Sequence, residues 1–351
     1  MTAPGHKIEE ADPFARRTRI VALTLVALPA SFLVALSFGT VPIAFSDVVL
    51  ALFGGGDTSH SQLVVEQIRL PRALLAALVG ALLGICGATT QGLFRNPLAD
   101  PSLIGVTAGA AAGAAMMIFF AGNLSSLEGF FGLGLISSGA FVGGILTVLL
   151  VYSLATNQSG TSVSTMLLAG IAITAIAGGL TSLIEFFANN EMLRRISLWR
   201  MGGLEGANYQ RVAVAASFAI IICTVLPRFS NALNALLLGE SEARHLGVSV
   251  QRTKVMMVIL VAAGVATSVA LAGAIAFVGL IVPHIIRLMI GPDHRYLLPM
   301  SALGGAILLL LADATARALF APIELPVGLV TALLGAPFFI SLLRHRHEFG
   351  M

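Results

Sequence analysis

Apolar residues fall along this chain in long runs bounded by charged or Gly- and Pro-containing segments, not in the short stripes of a water-soluble domain. The first run, Ile20 to Phe38, follows Arg16, Arg17 and Arg19. It is long enough to cross a hydrocarbon core of about 30 Å and exceeds the core of a signal peptide, about 7–15 residues. Further runs lie near 73–92, 103–122, 132–155, 163–188, 209–227, 254–273, 275–291, 297–320 and 326–343, with the division around 273–275 the least distinct. The pattern predicts an all-α integral membrane protein of ten transmembrane helices over residues 20–344. A cytoplasmic segment, 1–19, precedes them and a cytoplasmic tail, 345–351, follows. An even number of spans puts both termini on one side, and the basic N-terminal cluster makes that side the cytoplasm. Most other basic residues follow suit, but Arg69, Arg72, Arg194, Arg195, Arg200, Arg211 and Arg317 fall on the predicted outer side, an unusually large number.

Composition agrees on the solvent. With 57% hydrophobic and 11% charged residues, the chain has too few charges to coat a globule in water. Glycine is abundant, and Gly80, Gly84 and Gly87, like Gly105, Gly109 and Gly113, stand at the spacing that lets helix backbones approach in lipid. Cys86 and Cys223 sit in apolar runs without metal-ligand spacing and read as small buried side chains. The connection Gln91 to Pro101, with two prolines, an Arg and an Asp, predicts a tight turn buried in protein. Between Arg228 and Lys254 lies the longest polar-interrupted cytoplasmic stretch, where 236–246 has the pattern of an amphipathic helix ending at Gly247.

The string Arg69-Leu-Pro-Arg72, then Gly87-Ala and Gln91, then Arg95-Asn-Pro-Leu-Ala-Asp-Pro101, with Gly105 and Gly109-Ala110 following, resembles the permease family that imports vitamin B12, iron-siderophores and haem. The likeness continues through Leu167-Leu-Ala-Gly-Ile-Ala172, Trp199-Arg-Met-Gly-Gly203, Leu238-Gly-Glu240, Phe277-Val-Gly-Leu-Ile-Val-Pro-His284, Asp293-His-Arg295, Glu324-Leu-Pro-Val-Gly328 and Gly335-Ala-Pro337. It covers nearly the whole chain after about residue 65, in order, and is strongest toward haem permeases. The resemblance implies a type II ABC importer of the bacterial inner membrane. Two copies of a ten-helix subunit would enclose the path, with two cytoplasmic ATPase subunits below and a periplasmic binding protein docking from outside. Haem is the implied cargo, with a ferric siderophore or vitamin B12 as alternatives. ATP and Mg would sit on the partner ATPase; nucleic acid has no role. The chain itself supports that division of labour, because a phosphate-binding loop needs a Lys after Gly-rich backbone. The only lysines, Lys7 and Lys254, do not follow a Gly.

Roles then follow by resemblance. Leu238, Gly239, Glu240, Ala243, Leu246 and Gly247 are expected to form the ATPase-coupling surface, as in similar permeases, in the 228–254 loop. Arg69, Arg72 and Arg317 are expected to present cations to acidic residues of the binding protein, which would orient docking; headgroup snorkelling is the plainer alternative. Ser162, Val163, Ser164 and Thr165 are expected at the cytoplasmic gate, where small side chains suit a constriction that opens. Arg194 and Arg195 would attract an anionic cargo such as the propionates of haem, unless 189–200 is merely a surface helix pinned by Trp199. His284, His294 and the methionines read as packing residues; no metal or haem ligand and no catalytic residue is expected. Glu185 and Asp313 suit either a polar path or structural pairing. A secondary transporter or channel would need no coupling loop, and a membrane enzyme lacks any catalytic motif.

Overall fold

The computed structural model describes residues 13–39, 43–52, 60–121, 130–158 and 160–344; the expected N-terminal segment as far as residue 12 and the tail 345–351 lie outside them. The helices are α1 (Pro13–Ser37), α2 (Phe45–Leu52), α3 (His60–Val64), α4 (Leu70–Leu93), α5 (Val106–Ala121), α6 (Phe130–Ala155), α7 (Val163–Phe187), α8 (Asn190–Met201), α9 (Tyr209–Val225), α10 (Ser230–Leu238), α11 (Glu240–His245), α12 (Val250–Ala272), α13 (Val278–Ile290), α14 (His294–Ala318) and α15 (Val327–Arg344). A two-residue hairpin, β1 (Thr156–Asn157) with β2 (Gly160–Thr161), joins α6 to α7, pairing Thr156 with Thr161 and Asn157 with Gly160.

Each of the ten apolar runs has become a helix. Among the described residues, seven helical stretches are long and apolar enough to cross a membrane, and α5, α13 and the apolar part of α15 are shorter apolar helices. The uncertain division near 273 is real: Gly273 and Phe277 both adopt left-handed backbone, ending α12 and delaying α13 until Val278. At about 1.5 Å per residue, the 13 residues of α13 cover only about 20 Å. Helix α2 was not anticipated, because its eight residues are too few to register as a span.

Three helices, α4, α12 and α14, form the centre, the window of α14 being 67% buried. The apolar windows of Gln62–Leu93 and Val250–Ala272 are 78% and 72% buried, whereas that of α7 is 17% buried and faces outward. A helix apolar on every side belongs inside or against lipid, and packing separates the two cases. Along α4 the glycine stripe does what its spacing implies: a Cβ on Gly80 or Gly84 would collide with the α14 backbone at Gly305 or Ser301, and one on Gly87 with Gly279 of α13. Gly109 and Gly113 of α5 meet Gly143 and Gly139 of α6 in the same way. Without a hydrophobic force between helices in lipid, such close backbone contact is the main source of association.

The 91–101 connection is tight, as expected. Leu93, Phe94 and Ala99 are buried, Asn96 accepts a hydrogen bond from the Leu98 N–H, and Asp100 caps a short helical turn at Pro101–Ile104. The predicted helix over 236–246 needs correction. Gly239, at φ +128°, interrupts it, so Ser230–Leu238 and Glu240–His245 are separate helices with a bend between them.

Candidate functional site

At one end of the bundle the bend at Gly239 displays apolar side chains among charges. Leu238 and Leu246 are 67% and 65% exposed, beside exposed Glu242, Arg244 and His245. The other expected coupling residues divide: Gly247 is exposed, Ala243 is fully buried and anchors α11 to the bundle, and Gly239 is buried at the bend. Glu240 is half-buried and ion-paired with Lys254 of α12 at 2.6 Å. A second tie fixes α10. Asn234 donates its amide N–H to the Asp293 carboxylate at 2.8 Å, and its Oδ1 accepts from the His294 backbone N–H at 3.0 Å. Arg295 hydrogen-bonds the same carboxylate and, with Asn234, holds Asp293 well below the usual carboxylate range. The coupling segment therefore has a fixed mounting and a free apolar face.

The expected gate residues lie close by in the chain. Ser162 is the N-cap of α7, its hydroxyl accepting from the Thr165 N–H at 3.2 Å, and Val163, Ser164 and Thr165 form the first turn. Ser162, Ser164 and Thr165 are exposed. An N-cap of this kind starts the helix at a defined residue. The preceding residue, Thr161, is buried and has all its polar groups engaged by α12. Its N–H donates to Gln251 Oε1 (3.1 Å), its hydroxyl accepts from Gln251 Nε2 (2.7 Å), and its carbonyl accepts from Lys254 Nζ (2.8 Å). Gln251 also donates to the Tyr152 hydroxyl at 3.1 Å. Gln251 and Lys254, three residues apart, share a face of α12. This network was not foreseen; the available signal was the rarity of lysine, which leaves Lys254 alone at the head of an apolar run.

The opposite end corrects the expectation that Arg69, Arg72 and Arg317 are presented cations. Arg69 and Arg317 are 5% and 4% exposed. Arg69 donates to the Leu36 and Ser37 carbonyls, and Arg317 to those of Ala35 and Phe38, at 2.6–2.8 Å. The terminal carbonyls of α1, which have no partner within the helix, are thus capped by two guanidinium groups at the negative end of its dipole. Asp313, fully buried, lies between Arg72 (3.0 Å) and Arg317 (2.9 Å), and Arg72 also reaches Glu324 at 2.7 Å. The physical reason is local: carbonyls and a carboxylate at membrane depth need these donors more than the surface does. Asp313 is accordingly a structural pair. So is Glu185, bonded to Arg200 at 3.1 Å.

Arg194 and Arg195 do stay on the surface. They project from α8, which is held against α5 by buried Met192 and Ile196 packing near Ala115 and Ile118. His284 is buried edge-on to Phe338, and His294 Nδ1 lies 2.8 Å from Asn234 Oδ1. The outward face of α7 exposes large apolar side chains such as Leu168, Ile171, Ile176 and Phe186, and among them a stripe of small or polar groups, Thr174, Gly178, Gly179 and Ser182, with open space around both glycines.

Residues 25–345 match the FecCD transport family. The chain is 41% identical to the cobalamin import system permease of Halobacterium salinarum over 95% of its length and 90% of that protein's. It is 44% identical to the hemin transport system permease of Yersinia pestis over 80% of its length and 83% of that protein's. A solved structure of a metal-chelate type ABC transporter in an inward-facing conformation is similar at 32% identity and a TM-score of 0.82, covering 93% of this chain and 99% of that one.

Proposed function

The chain belongs to the FecCD transport family, and on that premise we propose that it is the membrane permease of an ATP-binding-cassette importer that carries haem into the cytoplasm. The carrying observation is an end-to-end family match joined to an apolar patch at Leu238 and Leu246 on an otherwise charged end. Exposed apolar side chains rimmed by charge suit a protein partner, here an ATPase that binds ATP and Mg. That end then faces the cytoplasm, and both termini with it. A second copy suits the Thr174, Gly178 and Ser182 stripe of α7, since small and polar groups at lipid depth favour helix contact; the path would run between the copies, narrowed near Ser162–Thr165. A periplasmic binding protein would deliver cargo at the opposite end. With Arg69 and Arg317 enclosed, the exposed Arg194 and Arg195 are the better candidates there to meet an anionic cargo or an acidic partner.

Haem is favoured by the 44% identity to a hemin permease together with these two exposed arginines, which suit carboxylate-bearing cargo. Cobalamin is the second reading, favoured by the 41% identity over 95% of the chain. Proteoliposomes holding the chain with its ATPase and binding protein should accumulate haemin with ATP in preference to a ferric siderophore or cobalamin. Replacing Arg194 and Arg195 by Glu should slow haemin uptake, more so at low salt. Uptake of cobalamin or siderophore instead would keep the importer and remove haem.

A further inference from the structure

Lys254 is 3% exposed, and its ammonium is shared between two acceptors on different elements: the Glu240 carboxylate on α11 at 2.6 Å and the Thr161 carbonyl at the foot of α7 at 2.8 Å. The Thr161 carbonyl belongs to the peptide bond that leads into Ser162, the N-cap of α7. With Gln251 holding the N–H and hydroxyl of Thr161, this residue has no polar group left to its own hairpin except the contact of its hydroxyl with Thr156. The start of α7 is thus held by α12 as well as by the Ser162 N–H bond to the Ala155 carbonyl of α6 at 2.9 Å, and the Glu240–Lys254 pair is the polar tie between α11 and α12 beside the buried cluster of Ala243 and Val250.

The placement matters because of what lies on each side. Above α11 is the exposed Leu238 and Leu246 patch. Beyond Thr161 is α7, the least buried of the seven long apolar helices, with 17% of its apolar window enclosed. The foot of this outward-facing helix is positioned by buried Met166 and the close backbone approach of Gly170 to Leu103 together with the polar contacts at Thr161. Those contacts are short and water-poor, and a buried ammonium deprived of either acceptor is strongly disfavoured. A shift of α11 must then drag Lys254, and Lys254 must drag Thr161 or lose its bond.

We propose that Lys254 is the positioning residue that transmits movement of the ATPase-facing segment to the first turn of α7, through the Glu240–Lys254–Thr161 linkage. This rests on the importer reading above. Two contributions are separate here: Leu238 and Leu246 hold the ATPase, and Lys254 converts its motion. Loss of the linkage should uncouple ATP hydrolysis from transport without detaching the ATPase.

The test uses the full complex in proteoliposomes, measuring ATP hydrolysed, cargo imported and the distance between spin labels on Ser164→Cys in the two copies, with Cys86→Ser and Cys223→Ser as background. Lys254→Met should keep ATP hydrolysis within about twofold, lower cargo imported per ATP by about tenfold, and abolish the response of the label distance to nucleotide. Glu240→Gln should lower import per ATP in the same direction, and the double variant should fall no further than Lys254→Met alone, as members of one linkage do. Import per ATP unchanged in Lys254→Met, or losses that multiply in the double variant, would overturn the proposal. Should Lys254→Met fail to assemble, Glu240→Gln decides alone: unchanged import per ATP overturns the linkage. A wild-type complex that hydrolyses ATP but imports none of haemin, ferric siderophore and cobalamin would instead sink the importer reading and the linkage with it.

Discussion

Both ends of the bundle bury charged side chains. At the Arg69 end each cation has several partners: Arg317 holds Asp313 and two carbonyls, Arg72 holds two carboxylates, and Arg69 holds two carbonyls. At the Lys254 end one ammonium joins two elements, and its carboxylate partner Glu240 stays partly in water. Redundant partners fix a structure, because no single movement can satisfy all of them at once. A single shared donor between a solvent-facing helix and an outward-facing one leaves more room to move. The first cluster locks α1, α4 and α14 together, whereas the second leaves the parts it joins able to shift.

The strongest way to break the contrast is Asp313→Ala. It leaves Arg72 and Arg317 without their shared carboxylate, and the expected loss is about 3–5 kcal/mol of stability, read as a fall in the unfolding midpoint of the purified chain in detergent. A midpoint unchanged from wild type would mean the cluster locks nothing. Gly239→Ala should act less and elsewhere. Its backbone lies in a region open essentially to glycine, and the new methyl would collide with the Glu242 carboxylate, at an expected cost of about 1–3 kcal/mol. That strain should appear as weaker assembly with the ATPase in a titration and as a smaller fall in the unfolding midpoint than Asp313→Ala gives. Wild-type assembly would show that the bend does not present the patch.

The smallest effect sharpens the picture through pH. Hydrogen bonds from Arg295 and Asn234 lower the proton affinity of Asp293 in the fold, so its contribution is present above the ordinary carboxylate value of about 3.9. It is lost only as pH falls through the still lower folded value. Hydrogen exchange of the α10 amides should therefore be as protected at pH 5 as at pH 7, after correction for the intrinsic rate. In Asp293→Asn the protection should be weaker at both. Loss of protection in the wild type between pH 7 and 5 would assign the tie to another group.

Most of the fold was legible. Ten apolar runs became helices because lipid leaves the backbone no hydrogen-bonding partner outside the helix, and the glycine stripe of α4 marked its contact with α14. The bend at Gly239 was not read, since the apolar pattern continues across it and only the backbone angle reveals the break. The outer arginines were read as surface because position in the sequence says how deep a residue lies along a span, not which way its side chain turns.

The amino-acid sequence by itself determined the solvent, the spans and the family, because these depend on how much apolar length each segment offers and in what order the motifs come. Only the tertiary structure decided which charges are partners. Arg69 and Arg317 are 248 positions apart in the chain yet cap the same helix end, and Thr161 meets Lys254 across 93 positions. Such pairs are set by which helices pack side by side, and the energy of a buried charge depends on the few ångströms to its partner.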